Sequence, residues 1–209
     1  MKDTMTKIIT VSREFGSGGR ELGKRLADAL GFAYYDREIV TALAQQTGME
    51  ESYLENQLEK DSIVRYPIHF AQSFSQLSTI SDTTIQLKAM QTKLIKSIAT
   101  RGNCVIVGRA ADSILEEYDP FCLFVYADQD SKLARCRSRV AAGEDLTDRD
   151  IIRQMKRIDR SRAEYHDIIS SRVWGQKESY HLCINTTDTE IKTVIPAIAT
   201  YYNAWLLGR

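Results

Sequence analysis

The sequence lacks an excess of charge of either sign. Its 209 residues include 28 Lys and Arg and 28 Asp and Glu, which gives a formal net charge of zero. Nothing global therefore attracts the chain to nucleic acid or to an anionic membrane surface, and any basic site must be local. We expect no nucleic-acid partner and no membrane partner.

Long apolar runs and paired thiol or imidazole ligands are also missing. No run approaches the roughly 18 apolar residues of a membrane span, and the N-terminal stretch MKDTMTKIITVS is too polar for a signal sequence. Cys104, Cys122, Cys136 and Cys183 show no CxxC spacing, and the three histidines show no metal-ligand spacing. These absences predict a cytoplasmic protein with reduced thiols and no histidine or cysteine metal site.

The chain is long enough, and at 43% hydrophobic residues apolar enough, to bury one full core. Short apolar runs rich in β-branched residues separate longer stretches with helical periodicity. Continuous apolar strands with helices between them are typical of a parallel sheet that is covered on both faces. We predict a single doubly wound α/β domain over 1–209 with a five-stranded parallel sheet. The predicted strands are 8–11, 32–35, 104–107, 121–126 and 181–184.

Helical periodicity fills most of the remaining chain. The segment 50–84 is polar and serine-rich, and it is too long for an ordinary connection, so we predict either a helical insertion beside the crevice or a partly ordered lid. The predicted helices are 19–30, 37–48, 84–102, 130–143, 146–171 and a last helix through 191–202.

A glycine-rich turn, VSREFGSGGREL, joins the first predicted strand to the first helix. Its glycines place unobstructed backbone N–H groups at a helix N-terminus, which is an anion site by geometry. The strict pattern G-x-x-x-x-G-K-[ST] fails, since Gly19 falls on the lysine and neither of the next two residues, Arg20 and Glu21, carries the magnesium-binding hydroxyl. Arg20 is the nearest cation and can hold phosphate oxygens as lysine does. The alternative is an ordinary turn that links a strand to its helix.

Charged residues follow two further strands. Arg109 comes after the strand at 104–107, and Asp36 and Arg37 close the strand at 32–35. In open parallel sheets, ligands bind outside the carboxyl ends of the strands, so these side chains are candidate substrate contacts. The alternatives are a surface ion pair for Arg109 and a helix cap for Asp36.

Arginines are dense between 135 and 162. A helix face of this kind can supply the cations that stabilise phosphoryl transfer, or it can simply be solvated. The arginines that share one face at helical spacing are Arg149, Arg153, Arg157 and Arg160.

Taken together, the segments ITVSREFGSGGRELGKRLADALGFAYYDREIV, NCVIVGRAADSIL and IDRSRAEYHDIISSRVWGQKESYHLCINTTD resemble the cytidylate kinase-like proteins of the P-loop nucleoside monophosphate kinase superfamily. The resemblance implies an acceptor-side helical insertion over about 37–100 and an arginine-rich lid with its flanking helices over about 130–172. It implies ATP phosphates on Gly16, Ser17, Gly18, Gly19 and Arg20, the acceptor on Arg109, and lid contacts from Arg157, Asp159, Arg160 and Arg162.

This chain departs from the family pattern at Gly19, Glu21 and Ala110. We interpret Arg20 as the substitute for lysine and Glu21 as a carboxylate ligand for Mg²⁺. The resulting hypothesis is an ATP- and Mg²⁺-dependent kinase for CMP or dCMP, with Asp36, Arg37, Arg109 and Asp159 on the acceptor side. The alternatives are a nucleotide-binding regulatory or pseudo-kinase module and a kinase for a different small acceptor.

Overall fold

The computed structural model describes residues 7–59, 82–139 and 146–209. Every predicted strand is present, with ends that differ by at most two residues. The largest difference is in the first strand, which continues to Arg13 because Arg13 still pairs in register with Val125. The strands are β1 Ile8–Arg13, β2 Ala33–Tyr35, β3 Cys104–Val107, β4 Phe121–Tyr126 and β5 Leu182–Asn185.

The five strands form one parallel sheet in the order β2-β3-β1-β4-β5. The first strand is therefore central, and the glycine turn that follows it leaves the middle of the carboxyl edge. The chain order reverses around β1, which is the position where open α/β sheets form their binding crevice. The predicted five-stranded parallel architecture is confirmed.

The described helices include those predicted, with small differences at their ends. The predicted helix over 130–143 ends at Arg137, and part of it, together with 60–81 of the predicted insertion, lies outside the described residues. The helices are α1 Gly19–Leu30, α2 Glu38–Thr47, α3 Glu51–Glu59, α4 Asp82–Thr100, α5 Ala111–Ile114, α6 Gln129–Arg137, α7 Asp148–Ile169 and α8 Ile191–Leu207. None of the helices in this part of the chain is both long enough and apolar enough to cross a membrane.

The core lies on both faces of the sheet, because successive strand residues point to opposite sides. Ile9 and Val11 of β1 pack into a cluster completed by α1 and α8. Ile8 and Ile106 belong to a second cluster, on the other face, which α2, α3 and α4 complete. With both faces covered, the carboxyl edge is left for polar and charged groups.

The histidine that precedes β5 gives a stability prediction. Nδ1 of His181 accepts a hydrogen bond from the Cys122 N–H at 2.9 Å. Partial burial, and then the charge of Arg172, lowers the pKa of His181 below its ordinary value of 6.5. The unfolded chain therefore takes up this proton at higher pH than the folded protein, and the free energy of unfolding falls as pH drops below about 6.5.

We expect His181→Asn, which cannot titrate, to lose less stability than the wild type between about pH 7.5 and about pH 5.5. Urea unfolding at the two pH values measures the difference. An equal loss in both proteins would contradict a neutral, hydrogen-bonded His181.

Candidate active site

The carboxyl ends of β1 and β2 open onto a cavity of about 400 Å³, a size suited to a nucleotide. The glycine turn forms one wall, and residues of α6 and α7 form another. Arg20 and Arg37, both predicted site residues, line it as well. Of the predicted acceptor side, Arg37 lines this cavity together with the predicted loop, whereas Arg109 does not.

The glycine turn is closed by its own hydrogen bonds. Gly16 and Gly18 have φ of 79° and 82°, and no side chain caps α1 at Gly18. The first amides of α1 are therefore available to an anion. The Ser17 hydroxyl donates to the Glu14 carbonyl at 2.8 Å, and the Thr186 hydroxyl donates to the Ser17 carbonyl at 2.7 Å. Ser17 thus contributes to the turn's shape, and its hydroxyl is already engaged.

Glu14, within the turn, forms an ion pair with Lys132 of α6. Lys132 Nζ lies 2.8 Å from Glu14 Oε2, and both side chains are largely buried, at 14% and 27% exposure. A Cβ at Gly16 would lie 2.9 Å from the Lys132 carbonyl, so the turn and α6 are in close contact. The pair neutralises Glu14 beside the place where phosphate would bind.

Arg13, the last residue of β1, is only 8% exposed. Its side chain passes directly beside Gly19, where an added Cβ would lie 2.5 Å from the Arg13 Cβ. It ends against Gly108, where an added Cβ would lie 2.6 Å from the Arg13 Cζ and closer still to Nη1. Both glycines are therefore needed for this path.

Positive charge accumulates around Arg13. The pKa of Arg13 lies well below its ordinary value, first because of burial and then because of Arg162, Arg109 and Arg20, while Asp36 acts in the opposite direction. A guanidinium remains protonated even so. Several like charges opposed by one carboxylate make this edge attractive to an anion.

Arg20 pairs with the predicted acceptor-side carboxylate. Its Nε lies 2.7 Å from Asp36 Oδ2, and the two side chains are 43% and 6% exposed. The other carboxylate oxygen, Oδ1, is buried and has no hydrogen-bond partner among the described residues. The structure therefore brings Arg20 to the β2 end of the crevice.

The turn after β3 has an unusual backbone. Gly108, Arg109 and Ala110 have φ of 73°, 60° and 47°, and two of these residues carry a Cβ. Left-handed backbone at non-glycine residues costs free energy and is often retained at functional sites. The Nε of Arg109 is buried with no hydrogen-bond partner in the part of the chain that the structure describes.

A second cavity, of about 30 Å³, lies between this turn and α7. Arg13, Arg109 and Arg162 line it together with His166. His166 Nε2 lies 2.9 Å from Asp112 Oδ2, and both residues are 1% exposed. This buried pair fixes α7 against the chain that follows Arg109.

The predicted lid residues of α7 divide between two faces. Asp159 Oδ1 accepts the Phe15 N–H at 2.7 Å, and Arg162 Nη1 donates to the Arg13 carbonyl at 3.0 Å. Arg157 and Arg160 are exposed and line neither cavity. Arg162 follows Arg160 by two residues, which is about half a helical turn, so the two side chains point in opposite directions.

The predicted carboxylate ligand for Mg²⁺ lies away from the crevice. Glu21 Oε1 pairs with Arg25 Nε at 2.8 Å on the surface of α1. No group of three or more His, Cys, Asp or Glu among the described residues could hold a metal ion. The carboxylates of Glu14 and Asp36 are both paired with cations. These residues do not fit a protein-held Mg²⁺ site.

Two cations at the site were missed by the sequence patterns. Arg13 stands at the carboxyl end of a strand, which is the signal that pointed to Asp36 and Arg109. Lys132 has no comparable local signal, because its contact with Glu14 joins residues 118 positions apart.

Most of the chain matches a known protein family. Residues 8–188 match the model of the cytidylate kinase-like family. The chain belongs to the cytidylate kinase-like family. Its fold is accordingly that of the P-loop kinases. No curated protein sequence gives a significant match.

Solved structures resemble this cytidylate kinase-like protein in fold. An uncharacterized protein from Eubacterium ventriosum ATCC 27560 is 24% identical, with a TM-score of 0.67 over 94% of this chain and 98% of its own. A shikimate kinase from Bacteroides thetaiotaomicron is 13% identical, with a TM-score of 0.58 over 96% and 98%. A gluconokinase from Sinorhizobium meliloti 1021 is 14% identical, with a TM-score of 0.54 over 97% and 94%.

Proposed function

We propose that the protein is an ATP-dependent kinase that transfers a phosphoryl group to a nucleoside monophosphate, CMP or dCMP. The observation that carries the proposal is the surplus of guanidinium groups at the crevice. Arg13, Arg109 and Arg162 line one small cavity, while Asp36 opposes the charge of Arg13 and Asp159 lies 3.4 Å from Arg162. An acceptor that is itself a phosphate supplies the missing negative charge. The choice of a cytidine nucleotide comes from the family match.

In this proposal, the chain contributes positioning and charge. The uncapped amides at the start of α1 would bind phosphates of ATP, which is delivered as its Mg²⁺ complex. Arg109 and Asp36, with Arg37 at the rim, would hold the acceptor. Because a monophosphate is already ionised near neutral pH, the reaction needs no strong general base. Fixed cations beside the phosphoryl group would lower the barrier.

The α7 residues have two proposed roles. Asp159 and Arg162 hold the turn through Phe15 and Arg13, and Arg162 also faces the small cavity. Arg157 and Arg160 would contact the transferring phosphoryl group only after α7 moves. Their catalytic roles, the insertion over 37–100, the lid over 130–172 and a cytoplasmic location remain predictions.

The test is ADP formation from ATP and Mg²⁺ with a panel of nucleoside monophosphates and of small hydroxylated or phosphorylated acceptors. We expect turnover with CMP or dCMP. Arg109→Ala should lower kcat/KM by roughly 100-fold, which is about 3 kcal/mol, because a clamped phosphate loses its charged partner. Arg101→Ala removes an exposed arginine before β3 and serves as the matched control. Unchanged turnover in Arg109→Ala would exclude this residue from the site.

One observation favours the second candidate, a nucleotide-binding module without turnover. Glu21 pairs with Arg25 outside the crevice and Ser17 is fully buried, so neither presents an oxygen to Mg²⁺ as a loop hydroxyl would. ATP binding that is indifferent to Mg²⁺, with no ADP from any acceptor, would establish that module. Turnover confined to a hydroxylated acceptor would instead identify a kinase of different specificity.

A further inference from the structure

We propose that Arg13 supplies the phosphate-binding cation of the turn and replaces the lysine that the P-loop pattern has lost. Its ligand would be the β- and γ-phosphate oxygens of a nucleoside triphosphate. The inference rests on the proposed function insofar as ATP is the donor.

Two positions of this chain have exchanged their residue types relative to the P-loop pattern. When G-x-x-x-x-G-K is placed on this turn, its first glycine falls on Arg13 and its lysine falls on Gly19. The chain thus has a cation where the pattern has glycine, and glycine where the pattern has the cation. The number of cations in the loop is conserved.

The residue types at positions 13 and 19 are physically coupled. A Cβ at position 19 would lie 2.5 Å from the Arg13 Cβ and 2.9 Å from its Cγ. These atoms are at the base of the arginine side chain, so a rotation of its far end cannot relieve the overlap. Arginine at 13 and lysine at 19 cannot both occupy this backbone. Glycine at 19 is therefore explained by arginine at 13.

The Arg13 guanidinium lies between the two cavities of the site. Arg13 lines both the 400 Å³ cavity of the turn and the 30 Å³ cavity beside Arg109. A phosphoryl group in transfer from the turn to an acceptor on Arg109 must pass this boundary. Arg13 is more than nine-tenths buried, and its Nε has no hydrogen-bond partner among the residues described. A buried donor that lacks a partner indicates that a ligand completes the site.

Two other cations beside the turn are already paired with carboxylates. Arg20 lies 2.7 Å from an Asp36 oxygen, and Lys132 lies 2.8 Å from a Glu14 oxygen. Arg13 makes no such ion pair within the described part of the chain. An incoming phosphate would therefore meet Arg13 without first displacing a carboxylate.

The experiment is a reciprocal exchange, with the dissociation constant of ATP measured by calorimetry in the absence of an acceptor. We expect Arg13→Gly and Gly19→Lys each to weaken ATP binding by at least roughly 30-fold, since one loses the cation and the other introduces the overlap. The double variant R13G/G19K rebuilds the ordinary pattern and should recover affinity to within about threefold of the wild type. A residue with only a structural role would show no such recovery.

A second pair of variants keeps the test decisive if the double variant does not fold. Arg13→Lys retains the charge and should bind ATP within about tenfold of the wild type, whereas Arg13→Met retains the apolar stem alone and should lose binding. Arg20→Met is the competing variant. A larger loss of ATP affinity in Arg20→Met than in Arg13→Met, or a folded double variant that does not recover, would overturn the inference.

These outcomes separate this inference from the proposed function. Arg13-dependent ATP binding without turnover on CMP or dCMP would uphold the inference and reject the nucleoside monophosphate kinase. Turnover on CMP with unchanged ATP affinity in Arg13→Met would do the reverse. A wild-type protein that does not bind ATP would reject both.

Discussion

Replacement of Gly108 by alanine should destabilise the protein by roughly 2–3 kcal/mol, because two costs coincide at this position. The residue has φ of 73°, a conformation that an L side chain adopts at a cost. The new Cβ would also overlap the guanidinium of Arg13, 2.6 Å from its Cζ. Arg13 would have to leave a buried path between two glycines. Urea unfolding of the two proteins measures the loss.

A matched variant isolates the overlap from the backbone strain. Gly48 has φ of 69° and nothing within 4 Å of an added Cβ, so Gly48→Ala should cost only about 1 kcal/mol. In an Arg13→Ala background, the cost of Gly108→Ala should fall to that of Gly48→Ala. If Gly108→Ala costs the same with and without Arg13, the side chain does not follow the path described.

Replacement of Asp36 by asparagine should destabilise the protein by roughly 3 kcal/mol. Its carboxylate is buried at 5% exposure, pairs with Arg20 and opposes the charge of Arg13. Asparagine keeps the shape and removes the charge, which leaves Arg13 and Arg20 without the negative charge of this carboxylate. Because a bound anion relieves the same repulsion, inorganic pyrophosphate should stabilise the variant more than it stabilises the wild type.

The control for this prediction is an exposed ion pair in α1. Lys24 Nζ and Asp28 Oδ1 are 2.6 Å apart, with side chains 55% and 61% exposed. Asp28→Asn should leave the urea midpoint unchanged within error, since exposed pairs contribute little to stability. Equal effects of Asp28→Asn and Asp36→Asn would show that Asp36 is not a buried counter-charge.

The sheet could be predicted because its signal is local. Buried parallel strands are continuous apolar runs, and the runs at β3 and β4 have the predicted bounds. The end of β1 was predicted two residues early, since Ser12 and Arg13 do not continue the apolar run. Their pairing with Phe124 and Val125 of β4 extends the strand.

Helical periodicity predicted which arginines of α7 share a face. It places Arg157 and Arg160 on one face, and both are indeed exposed together. Periodicity cannot say which face of a helix meets the site, because that depends on packing. In the structure, Met155 and His166 are buried, and Arg162 is directed toward the turn.

The sequence by itself determined the fold class, the glycine-rich turn at the carboxyl edge and the family, because these depend on local runs, spacing and glycine positions. Only the tertiary structure decided how the cations are distributed. The fold pairs Arg20 with Asp36 and Lys132 with Glu14. It also places the Arg13 side chain between Gly19 and Gly108, which lie far apart in the chain. Arg20 is the cation next to the position of the missing lysine, but Arg13 is the one that lines both cavities. Contacts among β1, α1 and the turn after β3 determine where these side chains lie.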